Sequence, residues 1–179
     1  MARGLGDGYK RHLKARGVSE VYVVDIMEKR LQKAMELGAT GVIHGAKEKV
    51  EEKISELTGG KGVDLVIETA GTEITTRQAI HIAKKGSVIV LVGYSKTGEM
   101  TLPMSLVLDK ELTFKSVFRY RHIYPMAIEA VSQGKVNLKG IVTDIFDLDD
   151  VQKAMDYSVN NKADIVKAVI RICDREDKK

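Results

Sequence analysis

Apolar residues along this chain switch repeatedly between two periods. "EVYVV" (Glu20 to Val24) is a β-branched and aromatic run that follows Gly17 and is closed by Asp25, which predicts a strand buried in a parallel sheet. Leu31, Ala34 and Met35 then recur at i, i+3, i+4 with Gly38 behind them, the pattern of a helix that covers the sheet and stops at the glycine. "TGVIH" predicts a second strand. Val50, Ile54 and Leu57 mark a second amphipathic helix, closed by the "TGGKG" loop, and "VDLVIE" from Val63 a third strand. Ile74 to Ala83 reads as helix, "SVIVLVG" as the most apolar strand, and "LTFKSVF" (Leu112 to Phe118) as one more. Such alternation implies right-handed crossovers and an α/β fold with a doubly wound parallel sheet. Ligands of that fold lie beyond the carboxyl ends of the strands, near the point where strand order reverses.

The final third continues the alternation on a smaller scale. Met126 to Val131 predicts a short helix, "IVTDIF" a strand, "DLDDVQKAMDYSV" a helix capped by Asp147 or Asp149, and "DIVKAVIRI" a terminal strand. The tail "CDREDKK" has no core face and is expected to fray.

Composition narrows the class. A chain of 179 residues is long enough to bury roughly 70% of its unfolded surface in a substantial domain. Its 44% hydrophobic and 30% charged content is ordinary for a globular protein, and no apolar run approaches the roughly 18 residues of a membrane span. The basic N-terminus is followed by no apolar run of the secretory type, and the single cysteine, Cys173, excludes an internal disulfide. The expectation is a soluble protein of the reducing cytoplasm. The net charge of +4 comes from lysines scattered among acids, with no basic run interleaved with aromatics, so neither nucleic acid nor a membrane is an expected partner. His12, His44, His81 and His122 are widely spaced and form no H-x₃₋₅-H pair, so no zinc site of this chain's own is expected.

The opening stretch "MARGLGDGYKRHLKARGVSEVYVVD" carries the candidate chemistry. A parallel sheet binds a dinucleotide by setting the pyrophosphate over a helix N-terminus, where glycines let the backbone approach, while an acid about 20 residues on takes the ribose. Gly6 lies 19 residues before Asp25, which suits Gly6 as the last glycine of G-x-G-x-x-G and Asp25 as the ribose acid. In that register the two earlier glycine positions fall on Met1 and Arg3, and the strand ahead of them is expected to be missing. "GLGDG" offers Gly4, Gly6 and Gly8 instead. These form either a makeshift anion-binding turn or a glycine-rich segment with no such role. Asp25 itself reads otherwise as a solvated strand-end acid.

The runs "VYVVDIMEKRLQKAMELGA", "ELTGGKGVDLVIETAG", "VIVLVG", "ELTFKSVFRYRHIYPMAIEAVSQGKV" and "VTDIFDLDDVQKAMDYSV" together closely resemble the C-terminal half of the medium-chain zinc-dependent dehydrogenases, in particular the sorbitol (polyol) dehydrogenases. The resemblance covers almost the whole chain, and "SVFRY" is its most specific part. It implies a Rossmann domain over residues 1–121, lacking its first strand, and over 122–179 the segment that returns to complete the family's catalytic domain. It implies NAD as cofactor, weakly held or lost in this chain, and a small polyol or alcohol as substrate. By the same resemblance Asp25 would hold the adenosine ribose with Arg30 beside it. Val92, Gly93 and Tyr94 would meet the nicotinamide half, Val117, Phe118 and Arg119 would flank the nicotinamide, and Arg119 and Tyr120 would contact substrate. From chemistry alone Arg119 reads equally well as a surface ion-pair former. The family's zinc ligands sit in an N-terminal domain that matches nothing here, so catalytic residues are not expected in this chain. Two functions follow: the cofactor-binding part of a polyol or alcohol dehydrogenase, inactive alone and partnered by the missing N-terminal domain or by another copy of itself, or a non-catalytic nucleotide-binding or dimerising module.

Overall fold

The computed structural model describes residues 18–119 and 122–172. In chain order the elements are β1 (Tyr22–Asp25), α1 (Glu28–Glu36), β2 (Gly41–His44), α2 (Val50–Leu57), β3 (Val63–Glu68), α3 (Glu73–Ile82), β4 (Ala83–Leu91), α4 (Met104–Asp109) and β5 (Thr113–Ser116). After these come α5 (Tyr124–Ser132), β6 (Asp144–Asp147), α6 (Val151–Asn160) and β7 (Ala168–Arg171). Among the described residues no helix is long and apolar enough to cross a membrane.

Every strand pair is parallel. The strands fall into a β1-β2 pair, a three-stranded β3-β4-β5 sheet and a β6-β7 pair. In a doubly wound sheet of order 3-2-1-4-5-6, β2 and β1 take the third and second positions and β3, β4 and β5 the fourth to sixth. Position one falls between β1 and β3, and among the described residues no strand pairs with either of those edges. This is the α/β architecture that the alternating pattern predicts. One core nevertheless runs through both halves: Val24 and Ile43 from the first pair, Val50 and Ile54 from α2, Ile80 from α3, and Val66 and Ile89 from the second sheet are all buried in a single cluster. Helices α2 and α3 supply the bridge, each turning its apolar stripe toward the strands.

Local sequence explains the element ends. Gly38 takes the left-handed conformation (φ 93°) that ends α1. Thr72 caps α3 by accepting the Thr75 N–H. At the other end of α3 the chain passes straight into β4, so the helix's last carbonyls need a donor from elsewhere. Lys110 provides it. Its Nζ donates to the carbonyl oxygens of Ile80 (3.0 Å), His81 (2.7 Å) and Ala83 (2.8 Å), and burial pushes this ammonium below the usual lysine range. Gly62 (φ 77°) lies against the same junction, where a Cβ would meet the Ile82 carbonyl oxygen at 2.6 Å.

Three local features depart from the sequence pattern. Helix α4 goes unannounced by any period, because it is six residues long and Val107 is its one buried residue. Strand β5 is shorter than "LTFKSVF": Val117 still donates to the Leu91 carbonyl (2.9 Å), but the ladder stops there and Arg119 turns left-handed (φ 59°). The cap of α6 is neither Asp147 nor Asp149. A 3₁₀ turn (Leu148–Asp150) intervenes, Asp150 stands at the N-cap without a side-chain hydrogen bond, and Asp147 pairs with Arg171 (2.8 Å) across β6 and β7. In this last unit Phe146 and Tyr157 meet with ring centroids 5.6 Å apart. Leu148, Val151, Met155 and Val159 form an exposed apolar stripe along α6.

Replacing Lys110 by methionine keeps the stem and removes the donor, leaving three carbonyls at the α3 end without it. The expected loss is about 1–3 kcal/mol, read as a lower urea midpoint with an unchanged slope.

Candidate functional site

Within each sheet the strands run parallel, so their carboxyl ends lie together, and one group of predicted residues sits at the strand ends of each of the first two sheets. The first is at β1. Asp25 is only 6% exposed, so it is not a solvated strand-end acid. Its Oδ1 accepts the N–H groups of Ile26 (2.8 Å) and Met27 (3.0 Å), which fixes the turn into α1. Its Oδ2 faces the Arg30 guanidinium at 3.7 Å. Asp25 and Arg30 are thus brought together across the turn from β1 into α1. His44 stands opposite Asp25 in register on β2. Beyond it Glu28 Oε2 takes Lys47 Nζ (3.0 Å) and lies 3.8 Å from His44 Nε2. The Lys47 ammonium holds the Glu28 carboxyl below its usual range. This outer Glu28–His44–Lys47 group was not legible in the sequence, since its members belong to three different segments.

The second group lies where β3, β4 and β5 end. Val92 and Gly93 leave β4 with both N–H groups donated to the carbonyl oxygen of Glu68 (2.8 and 3.1 Å). Gly93 passes so close to Ala70 and Gly71 that a Cβ would collide with backbone, and a Cβ on Gly71 would strike the backbone of Tyr94, 2.6 Å from its nitrogen. Glycine at both positions is therefore a steric requirement. The Tyr94 and Phe118 rings, both largely exposed, lie with centroids 6.3 Å apart, and the Arg119 guanidinium sits over the Phe118 ring at 5.1 Å. Val92, Gly93, Tyr94, Phe118 and Arg119 thus gather at one place, with Val117 bonded to the end of β4 through Leu91. Gly4, Gly6 and Tyr120 lie outside the described residues.

Glu68 was missed by sequence reading. It is 1% exposed, and its carboxylate accepts the N–H of Ala70 (2.8 Å), the N–H of Gly71 (3.0 Å) and the Thr75 hydroxyl (2.8 Å). The one available signal was an acid ending an otherwise apolar strand directly before "TAG". Among the described residues no three His, Cys, Asp or Glu side chains are grouped so as to hold a metal ion. A zinc ion does not fit these residues.

Comparison with known proteins decides the family. The family model described as zinc-binding dehydrogenase matches residues 4–133. The chain belongs to the zinc-binding dehydrogenases. A zinc-type alcohol dehydrogenase-like protein of Escherichia coli K12, itself uncharacterized, is 45% identical over 161 residues, covering 90% of this chain and 46% of that protein. Sorbitol dehydrogenase of Bacillus subtilis is 31% identical over 157 residues, with 88% and 44% covered. An Escherichia coli oxidoreductase/dehydrogenase of unknown specificity superposes with TM-score 0.83 at 43% identity, covering 92% of this chain and 47% of that one. An alcohol dehydrogenase of Escherichia coli CFT073, solved with the cofactor NADH, gives TM-score 0.81 at 26% identity, with 90% and 48% covered. The chain spans about half the length of the relatives it matches.

Within this zinc-binding dehydrogenase fold the contact between the two strand-end turns leaves no space for a methyl group. Gly93→Ala is expected to cost about 2 kcal/mol or more by forcing the turns apart. A thermal melt shows it as a lowered midpoint, whereas alanine at Gly98, where a Cβ meets nothing within 4 Å but φ is 78°, is expected to cost only about 1 kcal/mol.

Proposed function

We propose that this chain is the cofactor-binding part of an NAD-dependent, zinc-type polyol or alcohol dehydrogenase. The observation that carries the reading is that the buried Asp25–Arg30 pair and the Tyr94–Phe118–Arg119 group each stand at strand carboxyl ends, one on the β1-β2 pair and one on the β3-β4-β5 sheet. They lie at the end where doubly wound sheets bind dinucleotides. Family membership and relatives named for sorbitol and D-xylulose support the chemistry. Residues 1–121 form the nucleotide-binding domain and 122–179 a smaller segment that packs with the rest of a longer enzyme.

In this reading Asp25 holds the adenosine ribose. Its Oδ1 is committed to backbone amides, so Oδ2, steadied by Arg30, is the oxygen that meets a ribose hydroxyl. Gly4 and Gly6 approach the pyrophosphate. The backbone of Val92, Gly93 and Tyr94 and the segment Val117–Phe118 border the nicotinamide. Arg119 and Tyr120 donate to substrate hydroxyls, a suitable pairing of rigid donors for a polyol. The bound nicotinamide supplies the hydride chemistry. This chain's own residues bind and orient. The metal that acidifies the substrate hydroxyl belongs to residues beyond those described here, and the reducing cytoplasm suits a chain with one cysteine. The second reading, a non-catalytic nucleotide-binding or dimerising module, draws on the exposed apolar stripe of Leu148, Val151, Met155 and Val159.

Cofactor choice tests the Asp25 assignment. A 2′-phosphate brought near this carboxylate would meet a repulsion of about 4 kcal/mol at 4 Å and an effective dielectric of 20. Calorimetric titration is expected to give tighter binding of NAD than of NADP, and equal or tighter NADP binding would overturn the assignment.

Activity tests the division of labour. A zinc-bound water drops from a pKa of 15.7 to about 7, with each unit worth about 1.4 kcal/mol, and no described side chain supplies such activation. The 179-residue chain given zinc, NAD and sorbitol or xylitol is expected to form no NADH. Adding a zinc-bearing N-terminal partner is expected to restore turnover under the dehydrogenase reading and to change nothing under the module reading.

A further inference from the structure

Two strand-end carboxylates are buried on this edge, and only one has a place in the reading above. Asp25 presents an oxygen toward Arg30. Glu68 is turned inward, and its partners are neutral: the amides of Ala70 and Gly71 and the hydroxyl of Thr75. Burying a carboxylate is costly unless its lone pairs are filled, and a filled set rigidifies whatever supplies the donors. Here the donors form the turn into α3. Thr75 is itself held by Thr72, whose Oγ1 accepts the Thr75 N–H at 3.2 Å. The main-chain oxygen of the same glutamate takes the N–H groups of Val92 and Gly93. One residue therefore binds the β3–α3 turn through its side chain and the exit of β4 through its backbone. Gly71 and Gly93 are pressed together between them.

Exposure shows what depends on this clamp. Val92 is 42% and Tyr94 79% exposed, so core packing does not fix them. Their places are set by backbone bonds to Glu68 and by the Gly71–Gly93 contact. A second tether lies further along the same loop, where the Thr101 N–H donates to Glu73 Oε2 at 3.0 Å.

We propose that Glu68 is the positioning residue for the nicotinamide end of the site, its buried carboxylate locking the β3–α3 turn against which Val92, Gly93 and Tyr94 are set. The inference rests on the nucleotide-binding reading above. It predicts a split between the two ends of the cofactor: the Asp25 corner stands on another strand pair and is indifferent to Glu68.

The test titrates the full chain with two probes, NADH and ADP-ribose, which lacks the nicotinamide. Glu68→Ala is expected to weaken NADH about tenfold and to reduce the change in its emission on binding, with ADP-ribose held within about twofold. Glu68→Gln keeps an acceptor oxygen for Ala70, Gly71 and Thr75 and is expected to restore most of the NADH affinity. Equal weakening of both probes, or no weakening of NADH, overturns the proposal. Where the wild-type chain holds both probes too weakly to titrate, as the resemblance implies it can, amide exchange decides the clamp. In Glu68→Ala the Gly71, Val92 and Gly93 amides are expected to lose protection while Val24 and Ile43 keep theirs; unaltered protection at the three sinks it. Should the alanine variant not fold, Thr75→Val removes a single donor and is expected to weaken NADH about threefold with ADP-ribose unaffected, and an unchanged NADH affinity there counts against the proposal.

Discussion

Apolar contact, with no described strand pairing between them, holds the β1-β2 pair and the β3-β4-β5 sheet in one body. Ile43, Val50, Ile80 and Ile89 are completely enclosed, with Val66 and Ile54 beside them. Each such side chain contributes about 1.5–3 kcal/mol when fully buried. A backbone ladder would fix register as well as proximity. A shared core fixes only proximity, so the relative setting of the two strand pairs rests on how α2 and α3 seat their stripes. The two groups of predicted site residues depend on this constraint, because Asp25 and Arg30 stand with one set of strands and Tyr94, Phe118 and Arg119 with the other.

The two buried acids divide that edge by chemistry. Asp25 and Glu68 both end strands and both accept backbone amides of the turn that follows. The shorter side chain reaches only the next two residues and leaves an oxygen facing Arg30. The longer one reaches across the turn to the first helical turn of α3 and is used up by Thr75. A difference of one methylene thus separates a carboxylate that holds its own turn and faces Arg30 from one that ties the turn to the first residues of the following helix.

The sequence disclosed the fold wherever burial was one-sided or complete. The apolar strands "VDLVIE" and "SVIVLVG" and the stripes at Leu31 and at Val50 and Ile54 lie where their periods placed them. Legibility failed at short elements and at ends. Helix α4 has too few turns to show a period, and β5 stops early because Arg119 leaves the extended region. The N-cap of α6 shifted to Asp150 because a 3₁₀ turn uses the residues that a direct strand-to-helix passage would have made the cap. The site divides in the same way. Asp25 was readable from its spacing to Gly6 at a strand end, and Arg30 from resemblance to the family alone. The Tyr94–Phe118 contact joins segments more than twenty residues apart, and resemblance to a family, more than any local rule, singled out its members and the neighbouring Arg119. Glu68 was invisible to both, since a buried acid with neutral partners looks like any strand-end glutamate.

On the nucleotide-binding reading, the groups at the ends of β4 and β5 are donors and rings, while the buried acids are held elsewhere, Asp25 against Arg30 and Glu68 on the turn into α3. Such groups place a cofactor and a hydroxylated substrate, and placement alone can be worth about 7–11 kcal/mol when both reactants are held in line. Removing the hydroxyl proton needs an acceptor, and the Arg119 guanidinium, which lies over the Phe118 ring, carries donors only. Largely exposed Tyr94 and Phe118 leave that end of the β3-β4-β5 sheet open, so a group bound against the two rings would gain apolar contact there and steady their placement in return.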